Sequence, residues 1–132
     1  MEKIEHIGIA VKDLEAANET YAALLGTAHY KTETVESEGV DTSFFRVGES
    51  KIELLAATRE DSPIAKFLEK RGEGIHHIAF EVKDIRAELQ RLKSEGFVLL
   101  NEEPKKGADN KLVAFLHPKS ANGVLVELVQ GM

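Results

Sequence analysis

The sequence contains no cysteine. Disulfides, thiolate nucleophiles and cysteine-ligated zinc are therefore excluded, and the composition fits a reducing compartment, so a cytoplasmic location is expected. Long apolar runs are missing too. No stretch approaches the roughly 18 residues that a membrane-spanning helix needs, and no membrane partner is expected. The opening residues, MEKIEHIGIAV, lack the basic region and long apolar stretch of a signal peptide. Positive charge is in short supply: 17 Lys and Arg against 23 Asp and Glu give a formal net charge of -6. That balance argues against nucleic acid as the main partner. The one concentration of positive charge is Lys105, Lys106, Lys111 and Lys119, which suits either an anionic small ligand or simply a solvated loop.

What is present is enough for one ordinary domain: 132 residues, 42% hydrophobic and 30% charged. A chain of this size buries a real core. Its main feature is an internal echo. HIGIAVKDL begins at His6 and HIAFEVKDI begins at His77, 71 residues later, with His-Ile and Val-Lys-Asp in the same register. A helix-like pattern follows each. Asp13 is placed to cap the first, with Leu14, Ala17, Tyr21, Leu24 and Leu25 as its apolar stripe and Gly26 at its end. Asp84 caps the second, with Ile85, Leu89 and Leu92 as the stripe and Gly96 at its end. Extended segments then recur: TSFFRVG and SKIELLAA in the first copy, KLVAFLHP and GVLVELVQ in the second.

Each copy thus reads as strand, helix and about three strands. The expectation is an α+β fold of two pseudo-symmetric βαβββ modules, one at about 1–58 and the other at about 75–130. Between them DSPIAKFLEKRGEG predicts a helix at about 62–72, with Ser62 as cap, Pro63 in the first turn and Ile64, Phe67 and Leu68 on one face. Because half a chain of this length is marginal alone, residues 1–132 are read as a single domain.

The repeat singles out four side chains. His77, not His76, aligns with His6, and on a pleated strand the two neighbouring histidines face opposite ways. His76 then points to the packing side. The last strand of each copy carries a glutamate before a leucine, Glu53 in KIELLA and Glu127 in VLVELV. A carboxylate among large apolar neighbours is costly unless something pairs with it. Singly, such a histidine is commonly structural and such a glutamate commonly faces solvent; KIELL puts Lys51 on the same side as Glu53, as an exposed face would. Four in step favour convergence on a divalent cation. Two imidazoles and two carboxylates suit Zn, Co, Mn, Ni or Fe better than calcium, and leave positions open for water or substrate. His29 and His117 have no such counterpart and receive no metal role.

At these residues the chain resembles the vicinal oxygen chelate superfamily, the glyoxalase and bleomycin-resistance fold, and within it the methylmalonyl-CoA epimerases. The resemblance rests on HIGIAV, on IELLAATREDSPIAKFLEKRGEGIHHIAFEV and on FLHPKSANGVLVELVQ. It implies modules curled into a mixed sheet around a metal-binding cleft, an acyl-CoA substrate and a homodimer. The implied ligands are His6, Glu53, His77 and Glu127, holding one divalent ion per chain. Cobalt is favoured by the resemblance, and Zn²⁺, Mn²⁺ or Ni²⁺ are compatible. The second ligand is glutamine in some members. The implied reaction interconverts (R)- and (S)-methylmalonyl-CoA by removing the α-proton, through a metal-stabilised enolate, with Glu127 as base. Some members carry another glutamate where Thr42 stands here, and Asp41 faces the other way on a strand, so Glu53 is the expected second base. Lys111, Lys119 and Ser120 are the candidates for contacting substrate. The alternatives are a glyoxalase I-type lyase with the same ligands and a non-enzymatic antibiotic-binding protein; DSPIAKFL and FLHPKS favour the epimerase.

Overall fold

The computed structural model describes residues 1–131. Its backbone divides into two compact units, one of residues His6–His76 and one of His77 onward together with Met1–Glu5. The class is α+β in both.

The first unit contains β1 (Lys3–Ala10, entering this unit at His6), α1 (Leu14–Leu25), β2 (Lys31–Val35), β3 (Val40–Val47), β4 (Ser50–Ala57) and α2 (Pro63–Arg71). Its strands lie in the order β2-β3-β4-β1, with β4 and β1 parallel and the other pairs antiparallel. The Asp13 carboxylate accepts from the Ala16 amide, and Gly26, at φ 75°, closes α1. The helix lays Leu14, Ala17, Tyr21, Ala22 and Leu25 over Val11, Phe45, Leu54 and Ala56. Leu24, expected in that stripe, is 69% exposed. It falls on one flank of the helix, and the opposite flank, at Ala22, is the one that meets the sheet. On α2, the Ser62 hydroxyl accepts from the Ala65 amide at 3.0 Å. Ile64, Phe67 and Leu68 pack on Ala10, Val40 and Leu55 as their spacing predicts.

The second unit contains β5 (Gly74–Glu81, entering at His77), α3 (Ile85–Ser94), β6 (Lys105–Lys106), β7 (Lys111–Leu116) and β8 (Val126–Gly131). The order is β6-β7-β8-β5, again with only the last pair parallel. Asp84 caps α3 through the Ala87 amide, and Ile85, Leu89 and Leu92 are buried against Ala114, Leu116 and Leu128. The helix ends in paired bonds, Phe97 N–H to Leu92 C=O at 3.0 Å and Gly96 N–H to Lys93 C=O at 3.1 Å. This is the Schellman arrangement, and it requires the φ of 96° that Gly96 adopts.

The repeat holds at the level of register. Glu53 stands opposite Gly8, two residues past His6, and Glu127 opposite Ala79, two residues past His77. On the other side, Glu53 faces Phe44 and Glu127 faces Phe115. The amides of Val11 and Val82 close each parallel pair on the carbonyls of Leu55 and Val129, both at 2.9 Å. The copies differ where the last two strands connect. A tight turn at Gly48–Glu49 joins β3 to β4, whereas a 3₁₀ turn, Pro118–Ala121, intervenes between β7 and β8. The expected third strand of the second copy shrinks to two residues, preceded by an isolated bridge between Leu99 and Leu116.

Candidate metal centre

In the first unit, β1 supplies His6 and β4 supplies Glu53. The parallel register leaves the two side chains diagonal to one another on one sheet face, with His6 Nδ1 3.2 Å from Glu53 Oε2. Each residue is 5% exposed. That excludes the solvent-facing reading of KIELL. Lys51, on the same face, is buried as well; its Nζ lies 3.8 Å from the same Oε2 and 5.5 Å from the centroid of the Phe44 ring.

In the second unit, His77 Nε2 lies 2.9 Å from Glu127 Oε1, and both residues are 6% exposed. The His77 and Phe115 rings meet in a T-shaped contact, 5.9 Å between centroids. Ala79, next along that face of β5, is packed with Val113 and Val129. The strand therefore has a dry floor directly behind the pair. In both units a buried imidazole and a buried carboxylate satisfy one another, which offsets part of the desolvation that each group suffers. Paired nitrogen and oxygen donors of this kind are also what a borderline divalent ion takes.

The remaining candidates fall into place as follows. His76 forms a T-shaped contact with Phe67 of α2, 4.9 Å between centroids, on the packing side. His29 lies against Phe45 at 5.8 Å, and His117 Nδ1 accepts from the Lys119 amide at 3.1 Å, capping the 3₁₀ turn. Thr42 is 1% exposed. Asp41, its neighbour on β3, accepts from the Thr34 hydroxyl across the β2–β3 pair. Of the three substrate candidates, Lys111 begins β7, Lys119 is exposed, and Ser120 Oγ accepts from the Val98 amide at 2.9 Å. Ser120 thus has a structural duty that its sequence context does not reveal. The first unit also has a groove of about 490 Å³ between α1 and the chain at Glu73, lined by Val11, Ala17, Thr20 and Tyr21. Neither His6 nor Glu53 lines it. No helix among the described residues is long and apolar enough to cross a membrane.

The chain is 49% identical over 130 residues to the ethylmalonyl-CoA/methylmalonyl-CoA epimerase of Cereibacter sphaeroides, covering 97% of each protein. It is 44% identical over 129 residues to the mitochondrial methylmalonyl-CoA epimerase of Homo sapiens, covering 97% of this chain and 73% of that one. Among solved structures, a variant of the Streptomyces coelicolor methylmalonyl-CoA epimerase in complex with 2-nitronate-propionyl-CoA superimposes with a TM-score of 0.95 at 41% identity, over 99% of this chain and 95% of the other. The model of the Glyoxalase/Bleomycin resistance protein/Dioxygenase superfamily matches residues 5–115, and the chain belongs to that superfamily.

Proposed function

We propose that this chain is an epimerase that interconverts (R)- and (S)-methylmalonyl-CoA. The observation that carries the reading is the pair of buried His–Glu couples at repeat-equivalent positions, in a chain whose relatives are named for that reaction. The four side chains would act together in one domain, with His6, Glu53, His77 and Glu127 holding a single divalent ion. Their donor chemistry fits such an ion, cobalt first by resemblance and Zn²⁺, Mn²⁺ or Ni²⁺ next. When bound, the ion supplies a Lewis acid that stabilises negative charge on the thioester oxygen.

The residues of the chain then have distinct tasks. Glu127 removes the α-proton from one face of the substrate, giving an enolate that is planar at the reacting carbon. Glu53 starts this direction protonated and gives its proton to the other face, so the turnover ends with Glu127 protonated and Glu53 ionised; the reverse direction starts from that state with the roles exchanged. Thr42 has no carboxylate to offer, and the side chain of Asp41 is engaged with Thr34 away from Glu53. The nitronate-bearing ligand of the Streptomyces relative supports this route, because a nitronate is a planar anion of similar charge distribution. The apolar floor of Ala79, Val113 and Val129 beside Glu127 keeps water from competing for the proton it takes. Lys111 and Lys119 are the cations we assign to the anionic acyl-CoA; Ser120 shapes the turn that presents Lys119. We place the enzyme in the cytoplasm, as a homodimer.

Proton NMR of methylmalonyl-CoA in D₂O, with metal-free protein and then with Co²⁺, tests the proposal. Metal-dependent loss of the α-hydrogen signal, with interconversion of epimers in a stereospecific coupled assay, is the expected result. Tight metal binding without exchange would replace the epimerase with a glyoxalase-type lyase. Absence of both would leave a binding protein of the same fold.

A further inference from the structure

The two copies match at the histidine, the glutamate and the phenylalanine opposite it, but not two residues before the glutamate. There the first copy has Lys51 and the second has Leu125. Lys51 is 6% exposed, an uncommon state for a lysine. Its ammonium ion-pairs with Glu53 Oε2 at 3.8 Å, the oxygen that also meets His6 Nδ1, and it lies 5.5 Å from the centroid of the Phe44 ring. Phe44 is the cross-strand neighbour of Glu53, so ring, ammonium and carboxylate form one packed group.

We infer that Lys51 is a positioning residue for Glu53. The physical argument starts from charge. Glu53 sits in the run Ile-Glu-Leu-Leu, where Leu54 is fully buried and Leu55 nearly so. An ionised carboxylate there pays a desolvation cost of several kcal/mol. The His6 imidazole offsets part of it, and the ammonium on the same face adds a formal positive charge. His6 and Lys51 both meet the carboxylate at Oε2, and two partners on one oxygen restrict how the side chain can turn. Phe44 in turn keeps the long lysine side chain from wandering, through a cation–π contact in a dry setting. The inference rests on the epimerase reading only where it concerns rate. The pairing itself concerns the protein without metal or substrate.

A double-mutant cycle tests both parts, using Lys51→Met, Glu53→Gln, the double variant and Lys51→Arg. In metal-free protein, Lys51→Met leaves a buried carboxylate without its cation, and the melting temperature should fall by roughly 10 °C. Adding Glu53→Gln should recover most of that fall, because the stranded charge is then gone. In the epimerisation assay at saturating Co²⁺, Lys51→Met should lower kcat by roughly tenfold or more with KM nearly unchanged. In the Glu53→Gln background the same lysine change should leave kcat as it finds it. Lys51→Arg keeps the charge and should stay close to the parent in both measurements. Additive effects in both cycles would overturn the inference and make Lys51 an independent core or substrate contact. If the parent shows no epimerisation, the function reading fails while the melting cycle still decides the pairing.

Discussion

Glu127→Gln separates chemistry from folding. The substitution preserves shape and hydrogen-bonding capacity but removes the charge. In the parent, His77 Nε2 and Glu127 Oε1 are 2.9 Å apart and nearly buried. A hydrogen bond to a charged group contributes about 1.5–3 kcal/mol, and a neutral one about 1 kcal/mol, so the amide loses on the order of 1–2 kcal/mol. Against this, a buried carboxylate no longer has to be stripped of water, a relief of comparable or greater size. The two contributions oppose, and the metal-free variant should melt within roughly 5 °C of the parent. The reaction has no such offset. An amide cannot accept the α-proton, and a positioned base contributes about 10²–10⁴-fold, or about 2.7–5.5 kcal/mol of transition-state stabilisation. Epimerisation should therefore fall by that factor at saturating Co²⁺. The D₂O experiment adds a second reading: with Glu53 intact, exchange should survive on one epimer only, the one whose α-hydrogen faces Glu53. A variant that epimerises within threefold of the parent, with metal bound, would refute Glu127 as the base.

Alanine at His6 or His77 should weaken Co²⁺ binding by more than the roughly 10–100-fold typical of losing an outer-shell partner, and by similar factors at the two sites; competitive titration measures both, and an unchanged affinity at either removes that residue from the ligand set. Leu89, 2% exposed at the centre of the α3 interface, should cost about 2–5 kcal/mol on replacement by alanine, and denaturant unfolding should show it while the rate per folded molecule holds. The hydrogen bond from Arg91 at 2.8 Å, more than any other influence, holds the Glu88 carboxyl below its usual range. A lowered carboxylate stabilises fully above its unfolded pKa and loses that contribution as pH falls through the folded one. Glu88→Gln should thus reduce stability by about 0.3–0.5 kcal/mol at neutral pH and flatten the acid limb of a stability-versus-pH curve; parallel curves for parent and variant would contradict this.

Much of the fold was legible because its signals are local. Asp13, Ser62 and Asp84 cap helices through their own side chains, and each bond spans only three residues. The ligand candidates were legible because a duplication supplies its own control: His6 and Glu53 gain meaning from His77 and Glu127. Lys51 was not legible as buried. Alternation alone cannot say whether a polar face is wet, and only the third dimension brings the ammonium to both Phe44 and Glu53. Leu24 failed for a related reason, since hydrophobic spacing gives the width of a stripe and not which flank a sheet will cover. Ser120 and His117 owe their bonds to a turn conformation that composition does not specify.

The strand order puts β2 outermost in one copy and β6 outermost in the other. An outermost strand is where another chain can add itself to a sheet, so each is a place where aggregation can begin. The copies guard against it differently. β2 sets Lys31 and Glu33 among threonines, whereas β6 is cut to two exposed lysines, too short and too charged to template a ladder.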